Sequence, residues 1–141
     1  MRRPAVILGI VLGCAALAAP AIAANGYRGE TEAGGLLAIR AKFNGHGDPT
    51  KAYALRWANI PATCRGYPPT ADSGDIKLSM KVDDHGRFDG SGKAYFGAKV
   101  TISGRFSKNA KKASGTFRIK GQIAACSDAD TGSLDWDMNR K

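Results

Sequence analysis

The stretch Ile76-Lys77-Leu78-Ser79-Met80-Lys81-Val82-Asp83-Asp84-His85-Gly86-Arg87-Phe88 decides how this chain is read. Ile76, Leu78, Met80 and Val82 alternate with Lys77, Ser79 and Lys81, and a period of two is the mark of a strand with one buried face. Asp83-Asp84-His85-Gly86 then supplies the polar, glycine-ended tetrad of a hairpin turn, so the strand reverses at once.

The same grammar extends outward. Upstream, residues 27–31 read as a short first strand, and Leu37, Ile39, Ala41 and Phe43 alternate with Ala38, Arg40 and Lys42 before the loop-forming residues 44–49. Tyr53, Leu55 and Trp57 are expected on one face against Ala54, Arg56 and Ala58, and residues 61–75, with three prolines, two glycines and Cys64, read as an irregular connection. Downstream, residues 87–96 form a strand in which Gly90 and Gly92 mark a bulge or a close backbone approach. Val100, Ile102, Phe106, Phe117, Ile119, Leu134, Trp136 and Met138 fall on inward positions of the remaining strands. About eight strands in sequential order predict an all-β domain, an antiparallel β-sandwich or, alternatively, a closed up-and-down β-barrel.

The N-terminus has a different character. Arg2 and Arg3 precede an uncharged apolar run over residues 5–19, Pro20 breaks it, and Ala21-Ile22-Ala23 presents small residues where a signal peptidase cuts. Residues 1–23 are therefore expected to be a signal peptide and 24–141 a single β domain of about 118 residues, secreted or periplasmic. Val11-Leu12-Gly13-Cys14 keeps a second form open, a mature protein lipid-anchored at Cys14. The apolar run is shorter than the ~20 residues that span a bilayer, so no transmembrane segment is expected in the mature chain.

Of the three cysteines, Cys64 and Cys126 remain after such a cut, and an even pair in an oxidising compartment predicts a disulfide. Of 21 basic residues, removal of Arg2 and Arg3 leaves 19 against 12 acidic, a net charge of +7. Within reach of an exported cation-rich domain are anionic envelope polymers, lipid head groups and acidic proteins; nucleic acid is not expected.

Lys77, Lys81, Lys99, Arg105, Arg118 and Lys120 occupy outward positions beside Ser79, Thr101, Ser103 and Thr116, making a candidate anion-binding face. Asp135 and Asp137 are placed to pair with Arg118 and Lys120 across strands. For catalysis the chain offers His46 and His85, each in a glycine-containing turn, and Asp72, Asp75 or Asp89 as carboxylates that only the fold could bring together. No nucleophile signature accompanies them, so no catalytic residue is assigned and a small envelope hydrolase stands as the alternative. Asp128-Ala129-Asp130-Thr131-Gly132 echoes the start of a calcium loop without its closing glutamate; no metal and no cofactor are expected. Tyr53, Trp57, Tyr95, Phe96 and Trp136 could line a cavity in a small barrel, although inward rings more often fill the core.

Gly26-Tyr27-Arg28-Gly29-Glu30-Thr31, Cys64 after the third strand, and Cys126 through Gly132 followed by Trp136 resemble small secreted bacterial β-sandwich proteins. That resemblance implies a β-sandwich with no assigned catalytic residues. The expectation is an exported, non-enzymatic binding or envelope-associated domain.

Overall fold

The computed structural model describes residues 26–141; the expected signal segment and Cys14 lie outside the described residues. Nine strands follow one another: β1 (Gly26–Thr31), β2 (Leu36–Phe43), β3 (Pro49–Ala62), β4 (Thr70–Lys81), β5 (Arg87–Lys93), β6 (Lys99–Phe106), β7 (Lys112–Ile123), β8 (Cys126–Asp130) and β9 (Leu134–Arg140). No helix among the described residues is long and apolar enough to cross a membrane.

The strands form one antiparallel sheet in the order β4-β3-β2-β1-β9-β7-β6-β5, with β8 also paired to β7. Two meanders, β1 to β4 and β5 to β9, are joined where β1 pairs with β9 from Tyr27↔Arg140 to Thr31↔Trp136. One continuous sheet curls almost into a barrel, so of the two forms expected from sequence it is the barrel, not two stacked sheets, that is found. β8 and β9 share one edge of β7: β9 covers Lys112 to Phe117 and β8 covers Lys120 to Ile123. The polar stretch 126–130, read from sequence as part of a loop, is thus a strand that hides Cys126 and Ala129.

β4 and β5 are successive in sequence yet share no ladder. Side chains pack across their seam instead. A Cβ built on Gly90 would lie 2.7 Å from the Met80 side chain, and one on Gly92 would lie 3.2 Å from Leu78 and 3.3 Å from Ile76. The two glycines are the close approach expected from sequence, and they let β4's inward residues lie on β5's backbone.

The interior is filled. Tyr27, Phe88, Phe106 and Trp136 stack in a chain with ring centroids 5.0 to 6.2 Å apart, and Trp57 lies 6.0 Å from Phe117. Aliphatic residues including Leu37, Ile39, Leu55, Ile102 and Ile119 close the gaps between them. Eight strands enclose a space that side chains can fill, and here they do. Three expected positions, those of Tyr53, Tyr95 and Phe96, change. Ala54 and Asn59 both adopt φ of 54°, and the β3–β4 register shifts at each. An extra residue at a bulge reverses which neighbours face in, so Ala52, Leu55, Trp57 and Ile60 are buried while Tyr53 turns to the half-buried outer side. Tyr95 and Phe96 belong to the turn after β5 and not to the strand, and both are exposed.

Each end of the barrel carries its own tie. At one end, the polar end, lie turns 44–48, 83–86 and 107–111, where the Tyr27 hydroxyl donates to the Ala110 carbonyl. At the other end Cys64 and Cys126 are joined as a disulfide, with Cα atoms 6.0 Å apart. Beside it Thr63 and Asp130 exchange backbone hydrogen bonds of 2.9 and 3.1 Å, drawing the tails of β3 and β8 together.

Candidate anion-binding face

Register decides which cations meet. β5, β6 and β7 pair so that Lys93 faces Lys99 and Lys99 faces Lys120, three ammonium-bearing side chains abreast near the disulfide end. A second row crosses the other meander: Lys42 faces Lys51 and Lys51 faces Lys81. Directly opposed strand residues hold their Cβ atoms roughly 5 Å apart, and like charges so placed destabilise the sheet.

Of the six cations expected to form one face, Lys99, Arg105, Arg118 and Lys120 share the β6–β7 surface, whereas Lys77 and Lys81 stand on β4 across the unladdered seam. All six are exposed. Lys42, Lys51, Arg87 and Lys93 were absent from the sequence-based set. Counting back from the hairpin at 94–98 aligns Lys93 with Lys99 and Arg87 with Arg105, so two of them were within reach of simple turn arithmetic.

The expected acid partners change. Asp135 and Asp137 face Thr116 and Ser114, because β9 covers only the first half of β7. Arg118 pairs instead with Asp130, its Nε at 3.0 Å and its second terminal nitrogen at 2.6 Å from the two carboxylate oxygens. That fork holds the Asp130 carboxyl below its usual range, helped by the Gly132 N–H, and raises Arg118 further. Both Asp130 carboxylate oxygens in the would-be calcium loop therefore serve Arg118, one of them also taking the Gly132 N–H. No cluster of three or more His, Cys, Asp or Glu able to hold a metal ion occurs among the described residues.

The candidates for catalysis are spread apart. Asp72 accepts from the Trp57 indole N–H at 2.7 Å, Asp75 faces Arg56, and Asp89 faces Ser103 on the outer surface of β5. His85 lines an open concavity of about 1040 Å³ at the polar end, with Asp48, Asp83, Asp84 and Asp137 around it. Two of those carboxylates, Asp83 and Asp48, hold their own turns. Asp83 Oδ1 accepts from the N–H groups of His85 and Arg87, which keeps its carboxyl below the ordinary range. Asn44 organises turn 44–48 in the same way. Neither imidazole makes a hydrogen bond to a described nucleophile or carboxylate.

A smaller cleft of about 350 Å³ opens at the disulfide end of the β4–β5 seam, lined by Trp57, Asp72, Asp75, Tyr95 and Phe96 among others. Of the rings expected to line a cavity, Trp136 fills the core, Trp57 is buried in the core with an edge on this cleft, and Tyr95 and Phe96 stand at its rim. Compared with known protein families, with characterised proteins and with solved structures, the chain shows no match.

Proposed function

We propose that this is an exported, non-enzymatic binding domain that recognises an anionic polymer of the cell envelope through cations on its strands. The observation that carries it is the pair of lysine rows, Lys93-Lys99-Lys120 and Lys42-Lys51-Lys81. Aligning like charges costs a sheet stability. Lys120 is offset by Asp130 directly across the β7–β8 ladder and Lys42 by the Tyr53 ring 5.9 Å away, whereas a polyanion laid across the rows turns the remaining repulsion into attraction. Over residues 70–123 the chain has eleven Lys and Arg against five Asp, so the excess is concentrated on β4 to β7. A disulfide between Cys64 and Cys126 is compatible with residence outside the cytosol.

Chromatography on heparin or phosphocellulose tests this. The triple variant Lys93→Gln, Lys99→Gln, Lys120→Gln is expected to elute at clearly lower salt than Lys108→Gln, Lys111→Gln, Lys112→Gln, which loses the same charge from a turn. Equal elution of the two would reduce the effect to net charge and remove the proposed face.

The hydrolase alternative has one observation in its favour, the grouping of His85 with Asp48 and Asp137 around the polar-end concavity. Loss of a measured hydrolytic activity in His85→Ala would establish it.

A further inference from the structure

We propose that the disulfide end of the barrel docks on an anionic lipid surface, Tyr95 and Phe96 entering the headgroup layer while Lys93, Lys99 and Lys120 reach the phosphates behind them. This rests on the reading of the lysine row as anion-binding given above and assigns the row a lipid surface besides a polyanion.

Exposed apolar side chains are distributed unevenly. Among the described residues Tyr95 is 94% exposed, Tyr67 66%, Phe96 51% and Leu36 43%, and all four belong to the disulfide end. They come from the start of β2 and from two separate connections, 63–69 and 94–98, so the exposed apolar side chains gather at this end and are not one stray residue. The turns of the polar end offer Asn, His, Asp, Lys and Ser instead.

The fold does not require this. In turn 94–98 the Ala94 N–H donates to Ala98 O at 2.8 Å and Gly97 N–H to Ala94 O at 2.9 Å, with Gly97 at φ +88°. Turns 44–48 and 83–87 close with the same pair of bonds and the same left-handed glycine. One backbone shape thus carries Gly45 and His46 in the first case, Asp84 and His85 in the second, and Tyr95 and Phe96 in the third. The two rings gain no core burial; they touch each other edge to face at 4.9 Å at the exposed rim of the smaller cleft.

Aromatic residues with a polar tip settle at the headgroup level of a bilayer, and lysines just behind them can extend along their stems to the phosphates. Apolar insertion and basic attraction together give stable attachment where either alone is marginal. The strand walls are charged on the outside, so contact is confined to this end. Asp72 and Asp75 lie on the β4 side of the tip, which tilts the barrel so that the β5–β7 side faces the anionic surface.

The test uses the full chain with a Tyr95→Trp reporter and vesicles containing 30% phosphatidylglycerol and brominated phosphatidylcholine, or brominated phosphatidylcholine alone. Quenching of the added indole is expected only with phosphatidylglycerol. Lys93→Gln, Lys99→Gln, Lys120→Gln should weaken it on the order of 100-fold, about fivefold for each lysine. Tyr95→Ser with Phe96→Ser should lower phosphatidylglycerol-dependent pelleting at least tenfold while leaving heparin retention unchanged. A reporter that stays unquenched on anionic vesicles while heparin retention persists overturns lipid docking and leaves the polyanion reading standing. Heparin retention indifferent to the three lysines overturns both.

Discussion

The sheet returns on itself along two lines, and they are built differently. Between β1 and β9, strands more than a hundred residues apart in sequence, a five-pair antiparallel ladder runs from Tyr27↔Arg140 to Thr31↔Trp136. Between β4 and β5, joined by the five residues 82–86, no ladder forms and the contact is Ile76, Leu78 and Met80 laid on Gly90 and Gly92. The first junction is made by backbone and tolerates no change of spacing. The second is made by side chains, which can shift, so nearness in sequence is no measure of how tightly two strands are joined.

Placing one methyl group at each junction breaks the comparison open. At Gly29 a Cβ would fall 1.7 Å from the backbone oxygen of Asp137, so Gly29→Ala should cost more than about 4 kcal/mol and abolish a cooperative urea transition. A preserved midpoint would mean that the β1–β9 ladder is not what closes the barrel. The next largest effect concerns the disulfide, which spans 62 residues and ties β3 to β8 over the same junction. Replacing both Cys64 and Cys126 by Ser should remove about 4 kcal/mol, read as a fall of about 10–20 °C in melting temperature.

At the open seam the same substitution is far milder. Gly90→Ala meets only the flexible Met80 side chain, and a loss of about 1–2 kcal/mol is expected. If it proved as damaging as Gly29→Ala, the seam would be as rigid as the ladder and the distinction would vanish.

Two titrations sharpen the picture at its edges. Burial raises the Tyr27 hydroxyl above its usual value, more than offsetting Arg140 nearby. The neutral ring is thus favoured by the fold, and its contribution is complete below about pH 10 and fades as pH climbs through the raised native value. Tyr27→Phe should flatten that alkaline decline while losing about 1 kcal/mol of hydrogen bonding to Ala110 at neutral pH. Asp130 is lowered, first by its hydrogen bond to Arg118, so its contribution is present above about pH 4 and disappears as pH falls through the lowered native value. Because the pair is largely exposed, Asp130→Asn should alter the acid limb of a melting-temperature profile by a few degrees at most.

Much of this architecture was legible in the residues. Alternation in β4, β6, β7 and β9 placed Met80, Ile102, Phe117 and Trp136 correctly, because a two-residue period maps directly onto two faces. The Asp83 turn and the cysteine pair were equally clear, each having a local or compositional signature, although the turn joins strands that share no ladder and so make no hairpin. Ala54 and Asn59 were not, since nothing in a single sequence announces that an alanine will adopt positive φ, and the bulge there turned Tyr53 outward. β8 escaped notice because its five residues are polar apart from Cys126 and Ala129. Of the candidate face, the outward cations were readable strand by strand. The short 94–98 turn puts the Lys93–Lys99 alignment within reach, but not the whole rows, because register across β5, β6 and β7 depends on turn lengths that must be right on both sides.

The Lys141 N–H donates to Gly26 O at 2.8 Å, so the first and last described residues are bonded neighbours at the polar end. A short peptide could therefore join them, and the chain could be reopened between Asp84 and His85, where no ladder is cut. Such a circular permutant would keep every strand pair and begin its synthesis with β5. It would also show whether the order in which the two meanders leave the ribosome matters to how they meet.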